Sequence, residues 1–382
     1  MRAASESRRV DRRQWLKAVS APTFAAGLAV GCAARGARRA AEPPRHFTPV
    51  RVSRERVIRT VVGLRPYRPS GFVLRAERAG DKVLVHNFGH GGAGVTLSWG
   101  TAQMAIEQAE AAGANTRECA VLGCGAIGLA TARLMQRRGW RVTIYARDLP
   151  PATTSNVAGA QFGAYSVADR DRRTPAFETT FERAVRLSHR TFQELVGGGY
   201  GVRWIENYSL SSARPAGDPG PLDDLLIDSR ALAPAEHPFA YPFVVRFVTM
   251  LIEPPIYLNA LVRDVLIAGG RIVVREFADP AAILALPEPI VMNCTGLGAK
   301  MLFNDPELTP AKGQLTVLLP QPEVDYIVLA ENNLYMFPRA DGILLGGTFE
   351  RDAWSLEPNL EAMERVLAGH RALFAKMGSR GK

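Results

Sequence analysis

One stretch fixes more of this fold than any other: Cys119-Ala120-Val121-Leu122, then Gly123-Cys124-Gly125-Ala126-Ile127-Gly128, then an apolar helical pattern to residue 138. Gly139 ends that pattern, and Arg141-Val142-Thr143-Ile144-Tyr145 reads as a second strand. A buried strand, a glycine turn, a helix and a parallel strand make one complete βαβ unit, so the chain is expected to be α/β with a dinucleotide-binding core. Gly123 permits the tight turn, Gly125 lets a pyrophosphate approach the backbone, and Gly128 allows close helix–strand packing. Ala126 and Ile127 open the helix, whose N-terminal partial charge suits a phosphate. Asp148, twenty residues after Gly128 and beside Arg147, is placed to take ribose hydroxyls. The fingerprint by itself does not separate NAD from FAD.

Three other segments carry glycine and hydroxyl groups in a form suited to a bound cofactor. His86-Asn87-Phe88-Gly89-His90-Gly91-Gly92-Ala93-Gly94-Val95-Thr96 lies upstream of the fingerprint. Thr153-Thr154-Ser155-Asn156-Val157-Ala158-Gly159-Ala160-Gln161 follows the second strand and can donate to a diphosphate and its attached chain. Met292-Asn293-Cys294-Thr295-Gly296-Leu297-Gly298 is a third glycine turn after a strand.

The net charge of +10 is local. Residues 1–46 hold ten Arg or Lys against three acids, a surplus of +7, and the rest of the chain carries only +3. A broad basic face for nucleic acid is therefore not expected. The N-terminal basic stretch reads as an export signal. Asp11-Arg12-Arg13-Gln14-Trp15-Leu16-Lys17 resembles a twin-arginine motif, and a weakly apolar run over residues 18–30 follows it. That run is too short to span a bilayer as an ordinary helix. Leu28-Ala29-Val30-Gly31-Cys32 resembles a loose lipobox, which makes Cys32 a candidate lipid anchor. Residues 1–46 are thus expected to be signal and tether, with the protein periplasmic or held at the membrane surface. Cys119, Cys124 and Cys294 show no metal-ligand spacing and are expected to be buried thiols.

Further along, residues 57–62 and 83–85 read as strands around a turn at 65–69, and residues 101–112 as a helix. Residues 177–195 and 256–268 read as helices. Residues 209–242, rich in Pro, Asp and Ser, read as irregular loop. Strands are expected at 271–274, 290–293, 314–319, 325–329, 335–338 and 343–346, and an amphipathic helix at 359–374.

Taken together, these segments resemble the D-amino-acid oxidase family of flavoproteins. The likeness extends to Gly63-Leu64-Arg65-Pro66-Tyr67-Arg68-Pro69, Pro310-Ala311-Lys312-Gly313-Gln314 and Tyr335-Met336-Phe337-Pro338-Arg339, and covers nearly all of residues 54–375. It implies a Rossmann-like FAD-binding domain (76–170 and 250–300) and a second, α+β substrate domain on a mixed or antiparallel sheet (47–75, 171–249 and 301–382). It implies FAD as cofactor and oxidative deamination of a D-amino acid, with molecular oxygen as acceptor. An alternative is a dehydrogenase of the same fold serving a periplasmic acceptor, or a binding module without turnover.

The resemblance also implies roles. Arg65 pairs with the substrate carboxylate, for which a planar guanidinium fork is well shaped. Tyr335 adds a second hydrogen bond to it. Gly91, Gly92, Ala93, Gly94, Val95 and Thr96 wrap the flavin. Gly123, Gly125, Ala126, Ile127, Gly128, Arg147, Asp148, Thr153, Thr154, Ser155, Ala158, Gly159, Gln161, Phe277, Thr295 and Gly296 hold the remainder of the cofactor. His86 and His90 orient their loop. Glu331 stands where animal-type members carry a second tyrosine, Ala93 where many carry an aromatic residue, and Lys312 where arginine is usual. Finally, the segment with Arg65 and His86 precedes the fingerprint, whereas in the family it follows. Circular permutation is the simplest account, with exchange of that segment between subunits the other. Permutation requires the region of Arg54 to lie near Phe374.

Overall fold

The computed structural model describes residues 45–113, 117–214 and 220–377. The twin-arginine motif, the apolar run and Cys32 lie outside the described residues. In chain order, β1 (Val57–Tyr67), β2 (Val73–Ala79) and β3 (Lys82–Phe88) lead into α1 (Gly94–Ala111). The βαβ unit follows as β4 (Glu118–Leu122), α2 (Ala126–Arg137) and β5 (Arg141–Ala146), then α3 (Thr154–Val157) and α4 (Pro175–Leu195). β6 (Val202–Ser211), β7 (Ile227–Leu232) and β8 (Phe243–Ile252) precede α5 (Pro254–Ile267), β9 (Arg271–Val274), α6 (Pro280–Leu284), β10 (Ile290–Asn293) and α7 (Ala299–Leu302). β11 (Thr309–Leu318), β12 (Tyr326–Leu329), β13 (Tyr335–Arg339), β14 (Gly342–Gly346), β15 (Glu350–Arg351) and α8 (Leu360–Ala375) complete the described fold.

Two sheets organise these elements. The six-stranded sheet runs β2-β3-β10-β4-β5-β9 and is parallel throughout except for its edge strand β2. Its central strands alternate sides. Cys119 and Val121 of β4 face a core shared with α1, α2, α4 and α5, while Ala120 and Leu122 face a second core with Ile283, Leu286 and Leu302. Strands buried on both faces are what helices on either side of a parallel sheet require. The three cysteines are buried and form no disulfide. The nine-stranded sheet runs β1-β11-β14-β13-β12-β6-β8-β7, with β15 paired to β11, and only its β12–β6 pair is parallel. α8 packs on β11 and β14. Everything described here belongs to the single compact unit that starts at Arg45.

Four sequence expectations need correction. The 65–69 turn is instead strand as far as Tyr67, and Pro66 is tolerated because β1 is an edge strand. The expected helix at 101–112 starts at Gly94, so the glycine-rich run is strand to Phe88, a short 3-10 turn at Gly91–Ala93, and then the first turn of α1. Residues 209–242 are not irregular throughout, since they include the end of β6 and all of β7. The hydroxyl-rich loop contains the one-turn helix α3.

The two regions that permutation requires to meet do meet. The Tyr326 hydroxyl donates to the Thr48 carbonyl at 2.8 Å and contacts Met377 Sδ at 3.9 Å. Arg54 pairs with Glu364, and Thr60 Oγ1 lies 3.3 Å from Met363 Sδ. Val50, Phe374 and Met377 share one core cluster.

Candidate active site

The parallel strands β3, β10, β4 and β5 carry their carboxyl ends to one edge of the six-stranded sheet, where ligands of open α/β sheets bind. The glycine turns lie there, and the antiparallel bridge between Tyr67 and His90 brings the end of β1 to the same edge. Between the two sheets is a cavity of about 1300 Å³, larger than a single drug-sized ligand needs and suited to a dinucleotide plus a small substrate. Every cofactor-binding and catalytic candidate named above lines it except Ala93 and Gly128. Ala93 is instead buried behind the turn. Gly128 faces the fingerprint turn, where a Cβ would stand 2.0 Å from the Gly123 carbonyl oxygen. Its absence of a side chain serves packing, as the motif reading expected.

The fingerprint end is a cradle. Gly123 has φ +102°, a conformation that favours glycine, and a Cβ there would sit 2.5 Å from the Cys294 carbonyl oxygen. The Ala126 amide donates to Ser155 Oγ at 3.0 Å, which fastens the hydroxyl-rich segment to the first turn of α2. Arg147 and Asp148 pair with each other through Arg147 Nε at 2.9 Å, and Arg147 also reaches Glu276 at 3.4 Å. Arg275 and Glu276 line this end of the cavity as well, and the sequence reading missed both. Only their place after β9 marks them.

The second glycine run delivers a second helix N-terminus. α1 begins at Gly94, so the amides at its start belong to an 18-residue helix and carry its positive end toward the cavity. Gly92 N donates to the Ser166 carbonyl at 3.1 Å, and Thr96 Oγ1 donates to the Gly163 carbonyl at 3.1 Å. His86, buried, faces Asn293 Nδ2 at 2.9 Å through Nδ1 and Glu77 Oε1 at 3.2 Å through Nε2. Asn293 Nδ2 is a donor, so Nδ1 accepts and Nε2 carries the hydrogen. Asn293 Oδ1 in turn accepts from Thr295 Oγ1 at 2.8 Å. His86 therefore supports the third glycine turn through Asn293, and burial holds its pKa below the ordinary histidine value. His90 stacks on Phe72 with ring centroids 5.1 Å apart, and burial pushes its pKa down to about 3. His86 is engaged on both nitrogens, whereas His90 Nε2 has no protein partner and belongs to a ring that burial makes a weak base. Asn87, fully buried beside the cavity, has both side-chain polar atoms without a protein partner. The sequence reading gave it no role of its own, and beside His86 in the same strand it carries no distinct signal.

At the other end, on the nine-stranded sheet, Arg65 projects from β1 and Tyr335 from β13. The Arg65 guanidinium lies over Gly313 and Tyr335's ring lies over Gly346, its cross-strand partner. No carboxylate among the described residues pairs with Arg65, and its buried Nη1 has no hydrogen-bond partner. Burial raises the Tyr335 pKa, and the nearby Arg65 guanidinium lowers it by less. The hydroxyl therefore keeps its proton at neutral pH and can donate. Glu331 is elsewhere: it accepts from Ser212 N at 2.6 Å and does not line the cavity. A guanidinium with one buried nitrogen unpartnered, beside a protonated phenol, is a receptor for a carboxylate.

Comparison with known proteins agrees with this geometry. A family model described as DAO, FAD dependent oxidoreductase, matches residues 118–380. A D-amino-acid oxidase of Streptomyces coelicolor is 33% identical over 281 residues, covering 69% of this chain and 82% of the relative. A D-amino-acid oxidase of Rubrobacter xylanophilus is 31% identical over 268 residues, covering 67% and 77%. Glycine oxidase from Geobacillus kaustophilus has a similar fold, with a TM-score of 0.50 at 17% identity over 68% of this chain and 78% of that one. The chain belongs to the DAO family of FAD-dependent oxidoreductases. Its cofactor is FAD, and the cradle, the two helix N-termini and the volume between them fit that group.

Proposed function

We propose that the protein oxidatively deaminates D-amino acids, giving a 2-oxo acid, ammonia and hydrogen peroxide. One observation carries the reading: a buried Arg65 Nη1 without a protein partner, beside the Tyr335 hydroxyl, in the same cavity as the FAD cradle. Arg65 and Tyr335 bind the carboxylate and so fix the substrate Cα in the cavity. Held by the cradle, FAD would supply the two-electron acceptor for the hydride from that carbon, with oxygen as the final acceptor. The positive end of α1 favours the negative charge that develops near it, without reorganisation at the moment of reaction. The substrate amine gives up its proton before the hydride leaves, and the released imino acid hydrolyses in water. His86 is engaged on both ring nitrogens and burial makes His90 a weak base, so no side-chain base is assigned to this loop.

The segment order is proposed to be a circular permutation. The family-model match begins at Glu118 and leaves out β1, β3 and the start of α1, which nevertheless line the cavity. The junction of the 45–57 region with α8 supports the same reading. Export by a twin-arginine route, with Cys32 as lipid acceptor, is proposed from the N-terminal motif alone.

The test is anaerobic. The purified yellow protein is mixed with a panel of D- and L-amino acids and its visible spectrum recorded. Bleaching by D- but not L-members supports the proposal. Bleaching by L-members alone, or by none, overturns it.

A further inference from the structure

The segment after β14 forms an arch over the Arg65 end of the cavity. One foot is β15, paired with Ala311 and Lys312 of β11, followed by Asp352 N donating to the Pro310 carbonyl at 2.9 Å. Asp352 is further tied by the Thr309 hydroxyl. The other foot is Glu357, whose carbonyl accepts from the buried Lys312 Nζ at 2.7 Å, followed by Asn359 N on Gln314 Oε1 at 2.7 Å. Both feet stand on the same few residues of β11, the strand whose Gly313 underlies the Arg65 guanidinium. Between the feet, residues 353–356 carry Trp354 and Leu356, which line the cavity yet are 53% and 62% exposed.

Tyr165, also exposed, lines the same cavity from a segment joined to the arch by Arg351 and Asp169 at 3.1 Å. Tyr67 Oη donates to the same carboxylate at 2.6 Å. Phe349 completes the wall with its ring 5.7 Å from Arg65 Cζ. The remaining acids and arginines that line the cavity are Arg147, Asp148, Arg275 and Glu276, which follow β5 and β9 in the other sheet. Past the carboxylate site the substrate side chain therefore meets Trp354, Leu356 and Phe349, and the second cation near this wall, Arg351 at 5.9 Å from the Phe349 ring, is already paired with Asp169.

We propose that this arch selects the substrate side chain: Trp354 and Leu356 admit large apolar and aromatic D-amino acids and disfavour acidic ones. The inference rests on the oxidase reading above. An aromatic or branched side chain covers the exposed pair, whereas a second carboxylate is desolvated there without a partner. Lys312, the departure from the usual arginine, holds one foot of the arch in place.

The test compares kcat/KM for D-phenylalanine, D-alanine and D-aspartate in the holoenzyme, with Trp354→Ala beside the parent. The expected result is D-phenylalanine over D-aspartate by at least about 100-fold, and a fall of about 10- to 100-fold in the phenylalanine-to-alanine ratio in the variant, carried by KM. A binding arm uses benzoate and succinate, read by tryptophan fluorescence and by the flavin spectrum. Benzoate is expected to bind at least about tenfold tighter, with the advantage lost in Trp354→Ala. Equal use of D-aspartate, or an unchanged ratio in the variant, overturns the inference while leaving the oxidase reading intact. If no D-amino acid reduces the flavin, the oxidase reading falls and the carboxylate pair alone decides the arch: a benzoate preference lost in Trp354→Ala sustains it, and equal binding overturns it.

Discussion

The Arg65 guanidinium occupies the space that a side chain on Gly313 would fill, with Nη2 only 2.3 Å from the position of a Cβ there. The two residues sit on neighbouring antiparallel strands, where Arg65 is registered with Ala311. Glycine at 313 is thus a condition for the arginine's pose. Gly313→Ala is expected to swing the guanidinium away and leave the FAD cradle alone. A charge-assisted hydrogen bond is worth about 1.5–3 kcal/mol, so the dissociation constant for benzoate should rise roughly 10- to 150-fold. Unchanged benzoate binding would show that Arg65 acts from another pose.

Tyr335→Phe removes a hydroxyl but keeps the ring over Gly346. Loss of one hydrogen bond to a charged group should raise the dissociation constant of benzoate by about tenfold or a little more. Thermal stability should stay the same within error. Affinity equal to that of the parent would remove Tyr335 from the carboxylate site.

Gly128→Ala tests the other end. A Cβ 2.0 Å from the Gly123 carbonyl oxygen forces α2 away from the turn it must cap. Overpacking of this kind costs about 1–3 kcal/mol. Urea unfolding should report that loss, and gel filtration should show the variant shedding FAD that the parent retains. A variant that keeps both its midpoint and its cofactor would contradict the packing role.

His90 sets a pH dependence. Its native pKa is pushed down to about 3 by burial, whereas an unfolded histidine titrates near 6.5. Above 6.5 both states are neutral. As pH falls from about 6.5 toward 3 the unfolded chain takes up a proton that the native ring refuses, so stability falls by up to about 1.4 kcal/mol per pH unit from this group. Burial lowers the pKa of His86, His189 and His370 in the same direction. Urea midpoints from pH 7 to pH 4 should fall for the parent and fall less steeply for His90→Gln. Parallel slopes would mean that His90 is protonated in the folded protein.

The permutation can be tested by rewiring. A chain that opens at Glu118, runs to Met377 and re-enters at Arg45 through a linker of about ten residues should fold and bind FAD. The shared contact of Thr48 and Met377 with the Tyr326 hydroxyl makes that join short. Failure to recover soluble, yellow protein would count against permutation.

Much of the scaffold was legible because its strands are short, apolar and bounded by glycine. β4, α2, β5, β9 and β10 lie where periodicity puts them, to within a residue. β2 and β7 were invisible because edge strands with exposed, charged faces have no apolar alternation, as in Val73-Leu74-Arg75-Ala76-Glu77-Arg78-Ala79. β6 hides behind Glu206 and Asn207, the second of which is fully buried. The start of α1 was missed because Ala93 offers no side-chain cap and glycines read as loop. Within the site, motifs named Arg65 and Tyr335, but the glycines beneath them, Gly313 and Gly346, depend on strand register. Register between distant strands has no local signature. Trp354 and Leu356 face the cavity only because Lys312 and Asp352 fasten the arch, and that too is a tertiary fact.

The order of the segments also bears on how the molecule assembles. β3 pairs with β10, and its His86 meets Asn293, 207 residues further on. β1 likewise waits for β11. During synthesis β1 and β3 therefore emerge long before β11 and β10 exist, although β3 can pair at once with β2 and α1 meets α2 soon after it. Contacts of such separation slow folding and prolong the exposure of sticky intermediates. A chain ordered in this way depends more on chaperones than one that opens at the fingerprint, and its yield should respond more steeply to growth temperature.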